Sequence, residues 1–298
     1  MTTFCYLTDT HFGYTLGEGY SMQPRHPEPV EKVLCGLREW LTENPVDFIL
    51  HGGDLVEHGN EKLITRFAEK LTSMPCPAYL CLGNHDLDSP DSYELWKEHH
   101  MGLLPKNKPN YKLEFDDVNV YVLAVSYAGA PQPYYWETAH IPVISDQQKH
   151  DLEQYLAAST KPVILATHVQ VNAIPSSQTG LCGEVGEPDC QYQRYLIDLA
   201  RRFPMLHLIM TGHNHVNTLA RFGNLITMTT NAFTETPFDL RVVTIDDKNI
   251  EVATHSLRPW IDPQAEFNAE FSWALGGPSQ RECTIPVRKA KHDCSCSA

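Results

Sequence analysis

Apolar runs bounded by polar or glycine residues recur at 3–8, 46–51, 77–82, 118–125, 162–167 and 205–211, each of strand length. Between them, 30–43, 62–72, 91–100, 146–159 and 192–203 repeat apolar positions at helical spacing. Ser145 followed by Asp146-Gln147-Gln148 reads as a helix start, because a serine oxygen can accept from the first free amides. Further on, 218–222, 225–230, 240–245 and 249–255 are short, closely spaced and strand-like. Alternating βα units followed by a β-rich section predict an α/β (α+β) domain over 1–256, built on a large central sheet or two stacked sheets. Residues 257–298 lack clear periodicity but hold Trp260, Phe267, Phe271 and Trp273, so they are expected to pack on the core or at a subunit interface. Segments 12–29, 126–145 and 169–191 are too rich in Gly, Pro and aromatics for helices; each follows a strand, where loops commonly carry function.

Composition narrows the partners. With 298 residues and 42% hydrophobic residues a substantial core is available, and no run of about 18 apolar residues predicts a membrane span. Asp plus Glu number 37 against 23 Lys plus Arg, a formal charge of −14. That balance disfavours nucleic acid, whose backbone needs a basic footprint. It leaves room for a small phosphate ester, since bound cations reverse the local charge. The first strand begins at once and carries site candidates directly after it, with no basic region ahead, so a cytoplasmic protein is expected. Nine irregularly spaced cysteines make no secreted disulfide framework; Cys182 with Cys190, and Cys294 with Cys296, are the two groupings that could pair or bind metal.

Five motifs stand at or just after strand ends: Asp9-Thr10-His11, Gly53-Asp54, Gly83-Asn84-His85-Asp86, His168 and Gly212-His213-Asn214-His215. Asp-x-His or Gly-Asp alone means little with 15 His and 17 Gly in the chain. Gly-His-x-His is expected by chance about 0.04 times, and Gly-Asn-His-Asp roughly a few thousandths. Carboxylate, imidazole and amide oxygen together suit Mn, Fe, Zn or Co better than Ca or Mg alone. Two cations about 3.5–4 Å apart need a carboxylate between them, and Asp54 is the natural bridge. Asp9 with His11, and His213 with His215, each lie two apart at a strand end and can reach cations from one loop.

This series resembles the calcineurin-like metallophosphoesterase superfamily, and within it class III cyclic-nucleotide phosphodiesterases and related glycerophosphodiesterases. The motifs span 9–215, and no ligand is missing. The resemblance implies a four-layer αββα sandwich of two mixed β-sheets flanked by helices. It implies one metal held by Asp9, His11, Asp54 and His215, and a second held by Asp54, Asn84, His168 and His213. His85 would contact the phosphate and assist the leaving group, with Asp86 holding the motif loop or orienting His85. The implied reaction is direct in-line attack on a small phosphodiester by metal-activated hydroxide, without a phosphoenzyme. A phosphomonoesterase, a nucleotide pyrophosphatase and a non-catalytic binding scaffold are the competing readings, and a homo-oligomer is compatible with the sequence.

Beyond the motifs, Arg25 and His26 could meet the distal part of a substrate, and Tyr127, Tyr134, Tyr135 and Trp136 could stack on a base or simply pack their loop. His51, His58, His99, His100, His140 and His207 are read as surface or packing residues, with His58 close enough in sequence to Asp54 to support it.

Overall fold

A computed structural model describes residues 1–15, 17, 20–26, 30–128, 141–261 and 266–287. In chain order the elements are β1 (Thr2–Leu7), α1 (Val30–Glu43), β2 (Phe48–His51), α2 (Glu61–Thr72), β3 (Ala78–Leu80), α3 (Ser92–His99), β4 (Tyr111–Glu114) and β5 (Asn119–Val122). There follow β6 (Ser126–Tyr127), β7 (Pro142–Val143), α4 (Asp146–Ala158), β8 (Val163–Ala166), α5 (Ser176–Thr179), α6 (Cys190–Arg202) and β9 (Leu206–Thr211). The rest are β10 (Thr218–Phe222), β11 (Leu225–Thr229), β12 (Asp239–Ile245), β13 (Asn249–Ser256), α7 (Arg258–Ile261), α8 (Pro278–Arg281) and β14 (Glu282–Pro286).

Two six-stranded sheets carry the fold, ordered β14-β13-β12-β1-β2-β3 and β10-β11-β9-β8-β5-β4. Each is mixed. β1, β2 and β3 run parallel, as do β5, β8, β9 and β11, while β12, β13 and β14 in the first sheet and β4 and β10 in the second pair antiparallel to their neighbours. The alternation of side chains across a strand makes the layers explicit. In the chain leaving β5, Val120, Val122 and Ala124 join the core shared with the first sheet, whereas Tyr121, Leu123 and Val125 join the cluster under α4 and α6. In β8, Ile164 and Ala166 turn inward, and Val163 and Leu165 turn outward. Val33, Leu37 and Trp40 of α1 and Ile64, Phe67 and Leu71 of α2 cover the first sheet's outer face; Leu152 and Leu156 of α4 and Leu196 and Leu199 of α6 cover the second's. The molecule is therefore the four-layer α/β sandwich of two mixed sheets that the motif series implies.

Strands buried on both faces read as continuous apolar runs, which is why they are visible in sequence. The start of α4 is a capping box: Ser145 Oγ accepts from Gln148 N, and Gln148 Oε1 accepts from Ser145 N. β4 and β14 are edge strands in which polar residues interrupt the apolar ones, as where exposed Lys112 and Glu114 alternate with buried Tyr111 and Leu113, so neither makes an apolar run. Residues 266–287 add β14 to the open edge of the first sheet beside β13. They are fastened there by the wholly buried Arg241, which reaches Thr230 Oγ1 and the Thr229 and Gln280 carbonyls, and by Arg281 on Asp239. Among the described residues no helix is long and apolar enough to cross a membrane.

Candidate metal centre

The carboxyl ends of β1, β2 and β3 meet those of β8 and β9, so motif loops from both sheets face one another. The β1 and β2 loops are laced by main-chain bonds: Asp9 N to Gly53 O, His11 N to Asp54 O and Phe12 N to Leu55 O, all 2.9 Å. Gly212 N gives a bond of the same length to His168 O, joining the loops of the second sheet. Asp9, His11, Asp54, His213 and His215 all have φ between +47° and +73°, the left-handed region that residues with a Cβ normally avoid. Each such residue costs about 1–3 kcal/mol, and strain of this kind concentrates at functional sites. Gly83 has a separate reason to be glycine. A Cβ there would run into the Asp54 carboxylate.

The seven predicted ligands come together in two groups. In the first, His11 Nε2 stands 3.1 Å from His215 Nε2, with Asp9 Oδ1 3.5 Å from the latter and Asp54 Oδ2 3.7 Å from the former. In the second, His213 Nδ1 lies 2.9 Å from Asn84 Oδ1 and 3.3 Å from His168 Nε2, and Asp54 Oδ2 is 3.1 Å from His168 Nε2. Asp54 Oδ2 thus borders both groups. Donors about 2.1 Å from a common cation sit roughly 3.0–3.4 Å from each other in octahedral or tetrahedral geometry, close to these spacings. Four imidazole nitrogens, two carboxylates and one amide oxygen, nearly all buried, are a donor set that a transition metal fits.

The outer ring nitrogens are also partnered, which sets which nitrogen faces the cluster. His168 Nδ1 lies 3.0 Å from Gly52 O, and His215 Nδ1 lies 2.7 Å from Glu235 Oε1. His11 Nδ1 is 3.1 Å from Glu57 Oε2, somewhat off the N–H axis. Glu57 and Glu235 belong to no motif, and only their acidity among apolar and Thr residues could have singled them out.

Charge follows from this packing. Burial pushes Asp9 and Asp54 toward neutrality, but the facing imidazoles override it and hold both carboxyls below the usual range. Burial likewise lowers His213 to about 4. For His168 burial is outweighed by Asp54 and Asp9, giving about 9, and for His215 it is outweighed by Glu235 and Asp9, giving about 10. Without metal, one proton therefore rests in each group at neutral pH. A cation can enter only as these protons leave, so affinity should rise with pH until His168 and His215 deprotonate unaided near 9 and 10. Mn²⁺ titrations in buffers of different ionisation enthalpy should show about two protons released per chain at pH 7; a release near zero would contradict this assignment of charge.

Other predicted residues are placed as follows. Asp86 is buried, with Oδ2 accepting from Gly83 N and Oδ1 from Val56 N, so it staples the Gly-Asn-His-Asp loop to the β2 loop. Burial, and then Asp54, raise it to about 7. His85 gives its main-chain N–H to Asp54 Oδ1 at 2.9 Å, places Nδ1 3.0 Å from Glu57 O, and lines a cavity of about 330 Å³ over the cluster. Tyr20, Arg25 and Asn214 share that lining. Arg25 is buried and already engaged, with Nη1 on Glu57 Oε2 and Nη2 on the Tyr20 carbonyl. His26 is buried with its ring 5.6 Å from Phe238 and does not line the cavity. His58 is exposed and faces Asp88. Tyr127 packs in the core beneath α4, while Tyr134, Tyr135, Trp136, His140, Cys294 and Cys296 fall outside the described residues. Every described cysteine is a free thiol, Cys182 and Cys190 included.

Loops from both sheets thus bring candidate metal-ligand groups to the border of one cavity: Asp9, His11 and His215; Asp54, His168 and His213; and His11 with Glu57 and His85. The family profile for calcineurin-like phosphoesterases matches residues 2–217, and the chain belongs to that family. Among solved structures it is similar to a dimetal phosphatase from Danio rerio, with a TM-score of 0.69 at 12% identity, covering 96% of this chain and 99% of that one. It also resembles GAP50, the anchor in the inner membrane complex of Plasmodium, with a TM-score of 0.61 at 12% identity over 97% and 90% of the two chains. A third likeness is to a purple acid phosphatase from yellow lupin (Lupinus luteus) seeds, with a TM-score of 0.56 at 14% identity over 96% of this chain and 53% of that one. At these identities the likeness is one of fold. No curated protein matches the chain significantly.

Proposed function

We propose that the chain hydrolyses a small phosphodiester of the cyclic-nucleotide or glycerophosphodiester kind with two cations drawn from Mn, Fe, Zn and Co. Asp9, His11, Asp54 and His215 hold one cation, and Asp54, Asn84, His168 and His213 hold the other. Bound there, the cations supply Lewis-acid polarisation of the phosphoryl oxygens and bring the pKa of water toward neutrality. His85, on the cavity wall with its ring oriented through Glu57 O, meets the phosphate and passes a proton to the departing oxygen. Asp86 holds the loop on which His85 and Asn84 sit.

The observation that carries the diester preference is the state of Arg25. It is the one Lys or Arg among the described residues lining the cavity, and its charge is already paired with Glu57 at 3.2 Å, with Nη2 on the Tyr20 carbonyl and Nε buried without a partner. A phosphomonoester dianion brings a second charge that a free arginine would meet; a diester has a single charge and needs none. With Mn²⁺ at neutral pH, bis(p-nitrophenyl) phosphate should turn over at least about tenfold faster than p-nitrophenyl phosphate, a difference of roughly 1.4 kcal/mol in barrier. Chelation should abolish both. Faster monoester hydrolysis would establish a phosphomonoesterase on the same residues.

A further inference from the structure

The two donor groups are supported differently. His168, in the second group, gives its outer nitrogen to Gly52 O, main chain directly after β2. Both histidines of the first group turn to carboxylates instead, and both carboxylates reach onward to the same short segment. Glu235, wholly buried, takes His215 Nδ1 on Oε1 while its Oε2 accepts the main-chain amides of Met22 at 3.0 Å and Gln23 at 2.8 Å. Glu57 has His11 Nδ1 3.1 Å from Oε2, and the same oxygen accepts from Arg25 Nη1 at 3.2 Å. Arg25 Nη2 then holds the Tyr20 carbonyl at 2.8 Å, and the Tyr20 ring packs edge-on at 5.1 Å from His215. The segment runs against 234–236, with Arg25 bridging Glu235, His26 N bonded to Thr234 O and Thr236 N to Pro24 O.

From this asymmetry we infer that Glu57 and Glu235 are positioning residues that couple occupancy of the first cation site, and not the second, to the ordering of the cavity rim formed by Tyr20–Arg25. The inference rests on the two-cation reading above. A cation on His11 Nε2 and His215 Nε2 polarises each ring and strengthens what its outer nitrogen gives to a carboxylate. That fixes each carboxylate against the segment it also holds. Linkage is reciprocal: the factor by which the anchored segment tightens the first cation is the factor by which that cation stabilises the segment. Tyr20 and Arg25, two walls of the substrate cavity, are thus held more firmly when the first site is filled.

The test uses the full chain, stripped of metal and titrated with Mn²⁺. Stepwise affinities would be measured by calorimetry, and amide hydrogen exchange at Met22 and Gln23 followed at zero, one and two equivalents. Glu235→Gln should weaken one of the two affinities about 10–100-fold and leave the other within about twofold. Arg25→Ala, which touches no proposed ligand, should weaken the same affinity several-fold. Filling that site in the unaltered protein should slow exchange at Met22 and Gln23 about tenfold or more. Equal weakening of both affinities, weakening of neither, or exchange indifferent to metal would overturn the coupling. Should Glu235→Gln fail to fold, Arg25→Ala and the exchange data decide the matter. Failure of the unaltered protein to bind two Mn²⁺ would instead sink the two-cation reading itself, so the two failures are distinguishable.

Discussion

Asp54→Asn should leave a folded protein that retains less than one Mn²⁺ per chain and hydrolyses its substrate at least about a thousandfold more slowly, the scale on which charge stabilisation by a metal centre operates. The physical reason is the position of one oxygen. Asp54 Oδ2 stands 3.1 Å from His168 Nε2 and 3.7 Å from His11 Nε2, bordering both donor groups, whereas Asp9 Oδ1 leans to the first, 3.5 Å from His215 Nε2 and 3.9 Å from His168 Nε2. Two divalent cations about 4 Å apart repel by roughly 17 kcal/mol at an effective dielectric of about 20. An ionised carboxylate between them offsets much of that, and a neutral amide does not. Asparagine keeps the shape and can still accept His85 N on its oxygen, so the loop should survive. Metal content by mass spectrometry, with circular dichroism as the folding control, checks it. A variant that keeps two cations would remove Asp54 from the bridging position.

His85→Ala should behave in the opposite sense, retaining both cations while kcat falls. The ring lies on the cavity wall with Nδ1 turned to Glu57 O, and neither of the two four-residue groups needs it. A proton donor contributes about 10²–10⁴-fold, and most where the leaving group most needs a proton. The loss should therefore be about 10²-fold on a p-nitrophenyl diester, whose leaving group departs readily, and about 10³-fold or more on an alkyl diester. Equal losses on both would assign His85 to charge stabilisation alone. Loss of metal would make it a ligand.

Much of the fold and the site is legible in the chain, and the parts that are not share a cause. The six apolar runs are legible as strands because most of their positions are buried, on both faces of the sheet, and so are apolar. β4 and β14 are edges in which polar residues interrupt the apolar ones, so neither makes a continuous apolar run. The ligand motifs stand out because Gly-Asn-His-Asp and Gly-His-Asn-His are rare, and because strand ends gather in space what sequence scatters. Glu57 and Glu235 were hidden for the opposite reason: a single buried glutamate has no signature until the histidine it serves is placed beside it. Arg25 shows a subtler gap. Its place in the loop after β1 puts it at the cavity, but only the structure reveals that Glu57 and the Tyr20 carbonyl already hold its guanidinium. The left-handed backbone at five of the ligand positions is equally silent in sequence, since Asp and His carry no mark of it.

The central claim is that two cations share Asp54. Electron paramagnetic resonance of the protein loaded with Mn²⁺ and freed of excess metal tests it most directly. The account predicts two Mn²⁺ per chain with the broadened, exchange-coupled spectrum of ions joined through a common ligand. Two Mn²⁺ giving only the hyperfine pattern of isolated ions, or a single bound Mn²⁺, would contradict it.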